Sequence, residues 1–126
     1  TMLKVQFDPA KQIYLQIISE VKKALARGEL NPGDKLPSQR ELAKMIKVNA
    51  NTVQRAYREM EMKDLARTVR GQGTFITSDE QLLSNIRSKM ILELVDSFVL
   101  EMVALGCDHE TINKLVKERS LKNDEP

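Results

Sequence analysis

Between Ser38 and Met60 the chain reads SQRELAKMIKVNANTVQRAYREM, and no other stretch restricts the possible folds as strongly. Glu41 lies three residues after Ser38, so the Ser38 hydroxyl can accept from the Glu41 amide while the Glu41 carboxylate accepts from the Ser38 amide. This capping box opens a helix whose narrow apolar face carries Leu42, Met45 and Ile46. Lys47, Val48 and Asn49 interrupt the pattern, which restarts with Val53, Ala56, Tyr57 and Met60 at helical spacing. Two short amphipathic helices with about three residues between them read as a helix-turn-helix. The second helix opens on Asn49, Asn51 and Thr52, although asparagine is a poor helix-interior residue and one cap would suffice.

The flanks complete the motif. Residues 12–27 place Ile13, Tyr14, Ile17, Ile18, Val21 and Leu25 on one helical face, and Gly28 stops that helix. NPGDKLP follows as a turn, with at most a short strand at Lys35 and Leu36. After the second short helix, LARTVRGQGTFIT alternates Leu65, Arg67 and Val69 with Ala66, Thr68 and Arg70, reverses at Gly71 and Gly73, and resumes with Thr74, Phe75 and Ile76. That is a β-hairpin with a basic tip. The expected fold is mainly α, in the α+β class: an N-terminal winged helix-turn-helix with a β-hairpin wing over residues 2–77, then a short α-helical dimerisation tail over 78–126. In the tail, Leu82, Ile86, Met90, Leu94, Phe98 and Met102 form a row at steps of four, with Ile91, Val95, Val99 and Val103 beside it. So broad a face calls for a second copy of the chain, and Ile86, Met90, Leu94, Phe98 and Met102 are the candidate dimerisation residues. Gly106 suits a helix C-terminus with positive φ. Asp108 can cap a last helix bearing Ile112, Leu115 and Val116, and residues 122–126 are expected to fray.

Composition narrows the function classes. The chain of 126 residues is 41% hydrophobic but only 4% aromatic, so aliphatic packing dominates one modest core. No run approaches the roughly 18 apolar residues of a membrane span, which argues for a cytoplasmic protein. The lone Cys107 cannot form an internal disulfide, in keeping with a reducing compartment. Cys107, Asp108 and His109 lack the spacing and further ligands of a zinc site, so neither metal nor cofactor is expected. Without a phosphate-binding glycine loop, a nucleophile with a histidine partner, or an isolated acid pair, no enzyme is indicated. Charge divides the chain instead: residues 1–77 hold 14 Lys or Arg against 8 Asp or Glu, whereas residues 78–126 hold 6 against 10. A basic N-terminal part suits a polyanionic partner, namely double-stranded DNA.

In a helix-turn-helix, the N-terminal residues of the second helix meet base edges in the major groove. Asn49, Asn51, Thr52, Gln54 and Arg55 hold those positions here. Asparagine and glutamine pair with adenine, arginine with guanine, and the threonine methyl with a thymine methyl. Against this stands the reading of Asn49 as a cap only and the rest as a solvated face. Arg40 lies in the first turn of the preceding helix, where a cation opposes the helix dipole, so contact with a phosphate or groove edge accounts for it better than stability does. Lys35, Lys44, Lys47, Arg58 and Lys63 add sequence-independent phosphate attraction. At the wing tip Arg70 can enter the minor groove or touch phosphate, and Gly71 lets the backbone approach closely. A winged helix can also serve as a protein-interaction module, or as a metabolite-responsive regulator with a small ligand at the dimer interface.

From Gln12 to Thr77 the chain resembles the GntR family of bacterial transcription regulators, through IYLQI, GELNPGDKLPSQRELA, VNANTVQRAY and RGQGTFI in family order and spacing. The resemblance implies a dimer on a palindromic operator, with DNA contacts from Arg40, Asn49, Asn51, Thr52, Gln54, Arg70 and Gly71. Three departures stand out. Ala50 replaces an arginine common in the family, Lys47 replaces the usual turn glycine, and Asp64 stands where glycine commonly ends the recognition helix. The 49 residues after Thr77 suit a short two-helix tail. With the asparagine pair, they make the chain similar to the YtrA-type subfamily, which implies a repressor of an ABC-transporter operon, its own included. The resemblance leaves any small-molecule effector unknown.

Overall fold

The computed structural model describes residues 6–124, with the side chains of 123 and 124 left aside. Its elements run α1 (Ile13–Ala26), α2 (Gln39–Ile46), α3 (Ala50–Met62), β1 (Ala66–Val69), β2 (Gly73–Ile76), α4 (Glu80–Ala104) and α5 (His109–Asp124). The chain divides between Arg87 and Ser88 into two compact units.

The first unit is built on three helices and a hairpin. Ile17, Ile18, Val21 and Ala24 of α1, Leu42 of α2, and Val53, Ala56, Tyr57 and Met60 of α3 are buried together with Leu30, Leu36, Leu65, Ala66 and Ile76. Every position expected to face inward on α3 does so. β1 and β2 pair antiparallel from Ala66 opposite Ile76 to Val69 opposite Gly73, and Lys35 adds a single bridge to Phe75. The winged helix-turn-helix is therefore present in full.

Two left-handed residues shape the helix ends. Lys47 at φ 55° closes α2, and Asp64 at φ 60° follows α3. Both keep the left-handed backbone conformation that glycine would take freely.

One expectation for α2 fails. Met45 is 53% exposed, while Ala43 packs on the core beside Leu42 and Ile46. At about 100° per residue, Ala43, Ile46 and Leu42 lie within one arc of about 100°, and Met45 falls about 60° beyond it. Three apolar residues, Leu42, Met45 and Ile46, were too few to locate the centre of the face.

α4 starts where the Asp79 carboxylate accepts from the Leu82 amide at 3.1 Å. Its early residues Leu83 and Ile86 pack against the core of the first unit. It ends in a Schellman motif: the Cys107 amide donates to the Met102 carbonyl at 3.0 Å, the Gly106 amide to the Val103 carbonyl at 2.9 Å, and Gly106 takes φ 86°. The Asp108 carboxylate then caps α5 by accepting from the Thr111 amide at 2.8 Å. Hydrogen bonding from the Thr111 side chain, and next from its backbone amide, holds the Asp108 carboxyl below its usual pKa. α5 runs to Asp124, and residues 125 and 126, the end of the stretch expected to fray, lie outside the described residues. Within the second unit only Ile112 is buried among the described hydrophobic side chains.

Candidate nucleic-acid interface

The capping box positions Arg40. The Glu41 amide donates to the Ser38 hydroxyl at 3.1 Å and the Ser38 amide to the Glu41 carboxylate at 3.2 Å. Hydrogen bonding to the carboxylate from the Ser38 side chain and then the Ser38 amide, aided by the charge of Lys35, holds the Glu41 carboxyl below its usual pKa. A second restraint comes from α3: the buried Tyr57 donates its hydroxyl to the Pro37 carbonyl at 2.5 Å, tying the recognition helix to the residue before the α2 cap. Burial pushes the Tyr57 pKa up. Arg40, second in α2, is exposed, and among the described residues no acceptor takes its guanidinium donors.

α3 divides its polar residues by task. The Asn49 side-chain carbonyl accepts from the Asn51 amide at 2.8 Å, so Asn49 is the N-cap. Its side-chain NH2 remains on the exposed surface. Asn51, Arg55 and Arg58 follow at one-turn intervals on the exposed stripe, with Gln54 exposed at its edge. Thr52 is half-buried on the flank. Arg55 does not extend straight outward, since its guanidinium carbon lies 3.9 Å from the centre of the Tyr14 ring on α1.

The wing is held by polar contacts as well as pairing. The Gln72 amide closes the turn on the Val69 carbonyl at 2.9 Å, with Gly71 at φ 80° and Arg70 exposed beside it. The Thr68 hydroxyl bonds to the Glu61 carboxylate of α3 and meets the Thr74 hydroxyl at 3.0 Å, linking β1 to both neighbours. Lys35 bridges Phe75 and its side chain runs along β2 to the turn end of the wing: a Cβ on Gly73 would come 2.7 Å from its Cε, so glycine there keeps the lysine path open.

The ion pairs lie elsewhere. Among the described residues they join Lys23 to Glu20, Arg27 to Glu29 and Lys89 to Glu93. Arg40, Arg58 and Arg70 therefore keep their charge uncompensated by any bonded carboxylate. Of the tail residues, Ile86 belongs to the first unit, whereas Met90 and Met102 are half-buried, Phe98 is 41% exposed and Leu94 71% exposed in the second. Among the described residues no group of three or more acidic, histidine or cysteine side chains is arranged to hold a metal. No helix there is long and apolar enough to cross a membrane.

Tyr14, Tyr57 and Thr68 carried no local signal of a role at this surface. Tyr14 and Tyr57 act on residues distant in sequence, which spacing patterns do not report, whereas Thr68 meets Thr74 across the hairpin and Glu61 on the preceding helix. Sequence analysis had placed Tyr14 merely on the inward face of α1.

Comparison with known proteins bears on this geometry. Residues 13–76 match the bacterial regulatory proteins of the gntR family. The chain is 45% identical to an uncharacterized HTH-type transcriptional regulator, YhcF of Bacillus subtilis, over 89% of its own length and 93% of the relative's. It is 38% identical to the HTH-type transcriptional repressor YtrA of the same organism, covering 92% of each chain. Among solved structures, a GntR family transcriptional regulator from Listeria monocytogenes superposes with a TM-score of 0.84 at 38% identity, over 89% of this chain and 98% of that one. The chain thus belongs to the GntR family of bacterial regulatory proteins, in its YtrA-type branch, and is a DNA-binding transcriptional regulator.

Proposed function

We propose that the chain acts in the cytoplasm as a homodimeric repressor of an ABC-transporter operon, its own included, by binding an inverted-repeat operator. Residues 2–77 serve as the DNA-binding domain and 78–126 as the dimerisation domain. The carrying observation is the set of exposed arginines on α2, α3 and the wing, namely Arg40, Arg58 and Arg70, that lack a carboxylate partner among the described residues. Unpaired arginines on the elements that enter and flank a groove are what phosphate neutralisation requires. Asn51 and Gln54 read base edges, Thr52 contributes from the flank, Asn49 caps and touches phosphate with its NH2, and Gly71 brings the wing backbone close to DNA. Arg55 supports this set from the edge of the helix. With Ala50 in place of an arginine, the half-site is read more through A·T pairs than through guanine. The exposed Leu94 and Phe98, with Met90, Met102 and Ile86, supply the two-fold contact that sets recognition helices about 34 Å apart. The repressor role is carried over from the relative named as a repressor, and the transporter target from the YtrA-type resemblance.

Fluorescence anisotropy with the promoter of the protein's own operon against random duplex tests the reading. Arg40→Ala is expected to weaken promoter binding by at least ~1 kcal/mol. Replacing Asn51 is expected to change the preferred base at one symmetric position. Equal binding to promoter and random DNA would sink operator recognition, and a protein-interaction module would then account better for the basic surface.

A metabolite-responsive reading gains one observation, a cleft of about 260 Å³ in the first unit lined by Leu25, Leu30, Pro32, Leu83, Ile86 and Arg87. A ligand there would bear on the first turns of α4. Promoter release by a small molecule, abolished by Leu83→Trp, would favour it.

A further inference from the structure

We propose that Tyr14 is a positioning residue of the DNA interface: its ring holds Arg55 toward α1, so that the guanidinium meets a backbone phosphate rather than a base. This rests on the DNA-binding reading and adds a residue from outside the helix-turn-helix to it.

Three observations carry the inference. Arg55 lies over the Tyr14 ring at 3.9 Å, well within the range of a cation–π contact. Among the described residues no carboxylate or carbonyl accepts from Arg55, so its N–H donors remain available although the side chain is held in place. α1 and α3 pack directly against each other through buried Ile17, Val21, Val53 and Ala56, so the ring is a fixed platform and not a mobile neighbour.

The direction of the side chain decides its partner. Asn51, one turn earlier on the same stripe, is exposed with no side-chain hydrogen bond among the described residues, at a position proposed above to read base edges. Arg55 is drawn off that stripe toward α1, the flank along which a DNA backbone passes when α3 enters the groove. A guanidinium there offers parallel donors that match two phosphate oxygens. Free of the ring, a long arginine would sample many rotamers, and holding it beforehand removes part of the ordering cost of binding. The neutral ring adds no charge, so it acts on affinity only through Arg55.

Salt titrations of binding to a duplex selected from a random pool by the wild-type protein separate the roles. Arg55→Ala is expected to weaken binding to all sequences alike and to reduce the slope of log K against log salt by about 0.9, the loss of one phosphate contact. Tyr14→Leu is expected to weaken binding by about two- to fivefold with the slope retained, because the charge persists. Tyr14→Phe, which keeps the ring, should bind like wild type. In the Arg55→Ala background Tyr14→Leu should cost nothing further. Should the leucine variant melt early by circular dichroism, Tyr14→Met removes the ring, fills the site with a more adaptable side chain and carries the same expectation.

An equal penalty for losing the ring in both backgrounds would make Tyr14 merely structural and overturn the proposal. So would an Arg55→Ala variant with unchanged slope and altered preference at one base pair, since Arg55 would then be a base reader. A wild-type protein that selects no duplex at all would instead overturn the DNA-binding reading from which both residues take their role.

Discussion

Leu42 and Leu94 are the same side chain in two different situations. Leu42, on α2, is 1% exposed in a core to which three helices and the hairpin contribute, while Leu94, on α4, is 71% exposed. The contrast extends to their units. The first encloses its aliphatic residues, whereas the second leaves Ile91, Leu92, Val95, Phe98, Leu100 and Val103 exposed on α4 and Leu115 and Val116 on α5. A helix apolar around most of its circumference is stable only when covered from more than one side. The first unit therefore has an interior of its own, and the second leaves most of its large apolar side chains exposed in the single chain.

The most direct way to break this comparison is to make one truncation in both places. Leu42→Ala removes a buried side chain and is expected to cost about 2–5 kcal/mol, a large part of the stability of so small a domain. Leu94→Ala, if the chain is held monomeric by dilution, is expected to cost little. Thermal unfolding followed by circular dichroism checks both, and an equal loss at the two sites would mean that α4 is covered within the single chain.

A charge on the exposed face sharpens the same point. Leu94→Asp and Phe98→Asp should leave the fold of the first unit intact while raising the dimer dissociation constant by at least about a hundredfold, as for loss of a central apolar contact. Sedimentation velocity reads this directly. Dimers that persist unchanged would place the two-fold contact elsewhere.

The two units also differed in how far their sequences could be read. In the first, the capping box, the Val53–Met60 pattern and the RGQG reversal are local signals, and the fold follows them. Met45 was misplaced because a helix as short as α2 gives its pattern too few repeats. In α4 the steps of four were real, but each advances about 40° around the helix, so the row from Leu82 to Met102 winds through about 200°. It is a ridge that changes sides, with Ile86 packed near its start and Leu94 exposed further on. The exposed placement of Arg40, Asn51, Gln54 and Arg70 on α2, α3 and the wing was legible because a helix-turn-helix fixes the order of its elements. Tyr14 against Arg55 and Tyr57 against Pro37 were not, since both join residues far apart in the chain.

Tyr57 tests how firmly the complete core holds the interface. Tyr57→Phe keeps the buried ring and leaves the Pro37 carbonyl without its donor, an expected cost of about 1–2 kcal/mol. Because burial raises the Tyr57 pKa, its neutral form is favoured in the folded state. That contribution is fully present below the ordinary tyrosine value of about 10 and declines as pH rises beyond it. The wild type should therefore lose its advantage over the phenylalanine variant on alkaline titration. A gap between the two that is independent of pH would indicate that the hydroxyl is solvated in the folded protein.

The smallest expected effect lies at the surface of the same unit. Ser38→Ala removes the N-cap of α2 and is expected to cost about 1 kcal/mol at neutral pH. The Glu41 carboxyl is held below its usual pKa first by its bonds to Ser38, so its folded value is depressed. A depressed carboxylate contributes stability above its ordinary pKa and loses it as pH falls through the folded value. The alanine variant lacks the side-chain hydroxyl of that box, so acidification should bring the two proteins closer in stability. Asp108 has a lowered pKa too but caps α5, and it titrates alike in both proteins, so it drops out of the difference. Denaturant melts of the pair at neutral and acidic pH measure that difference, and a gap that widens with acid would mean the box gains strength when Glu41 is protonated, contrary to this account.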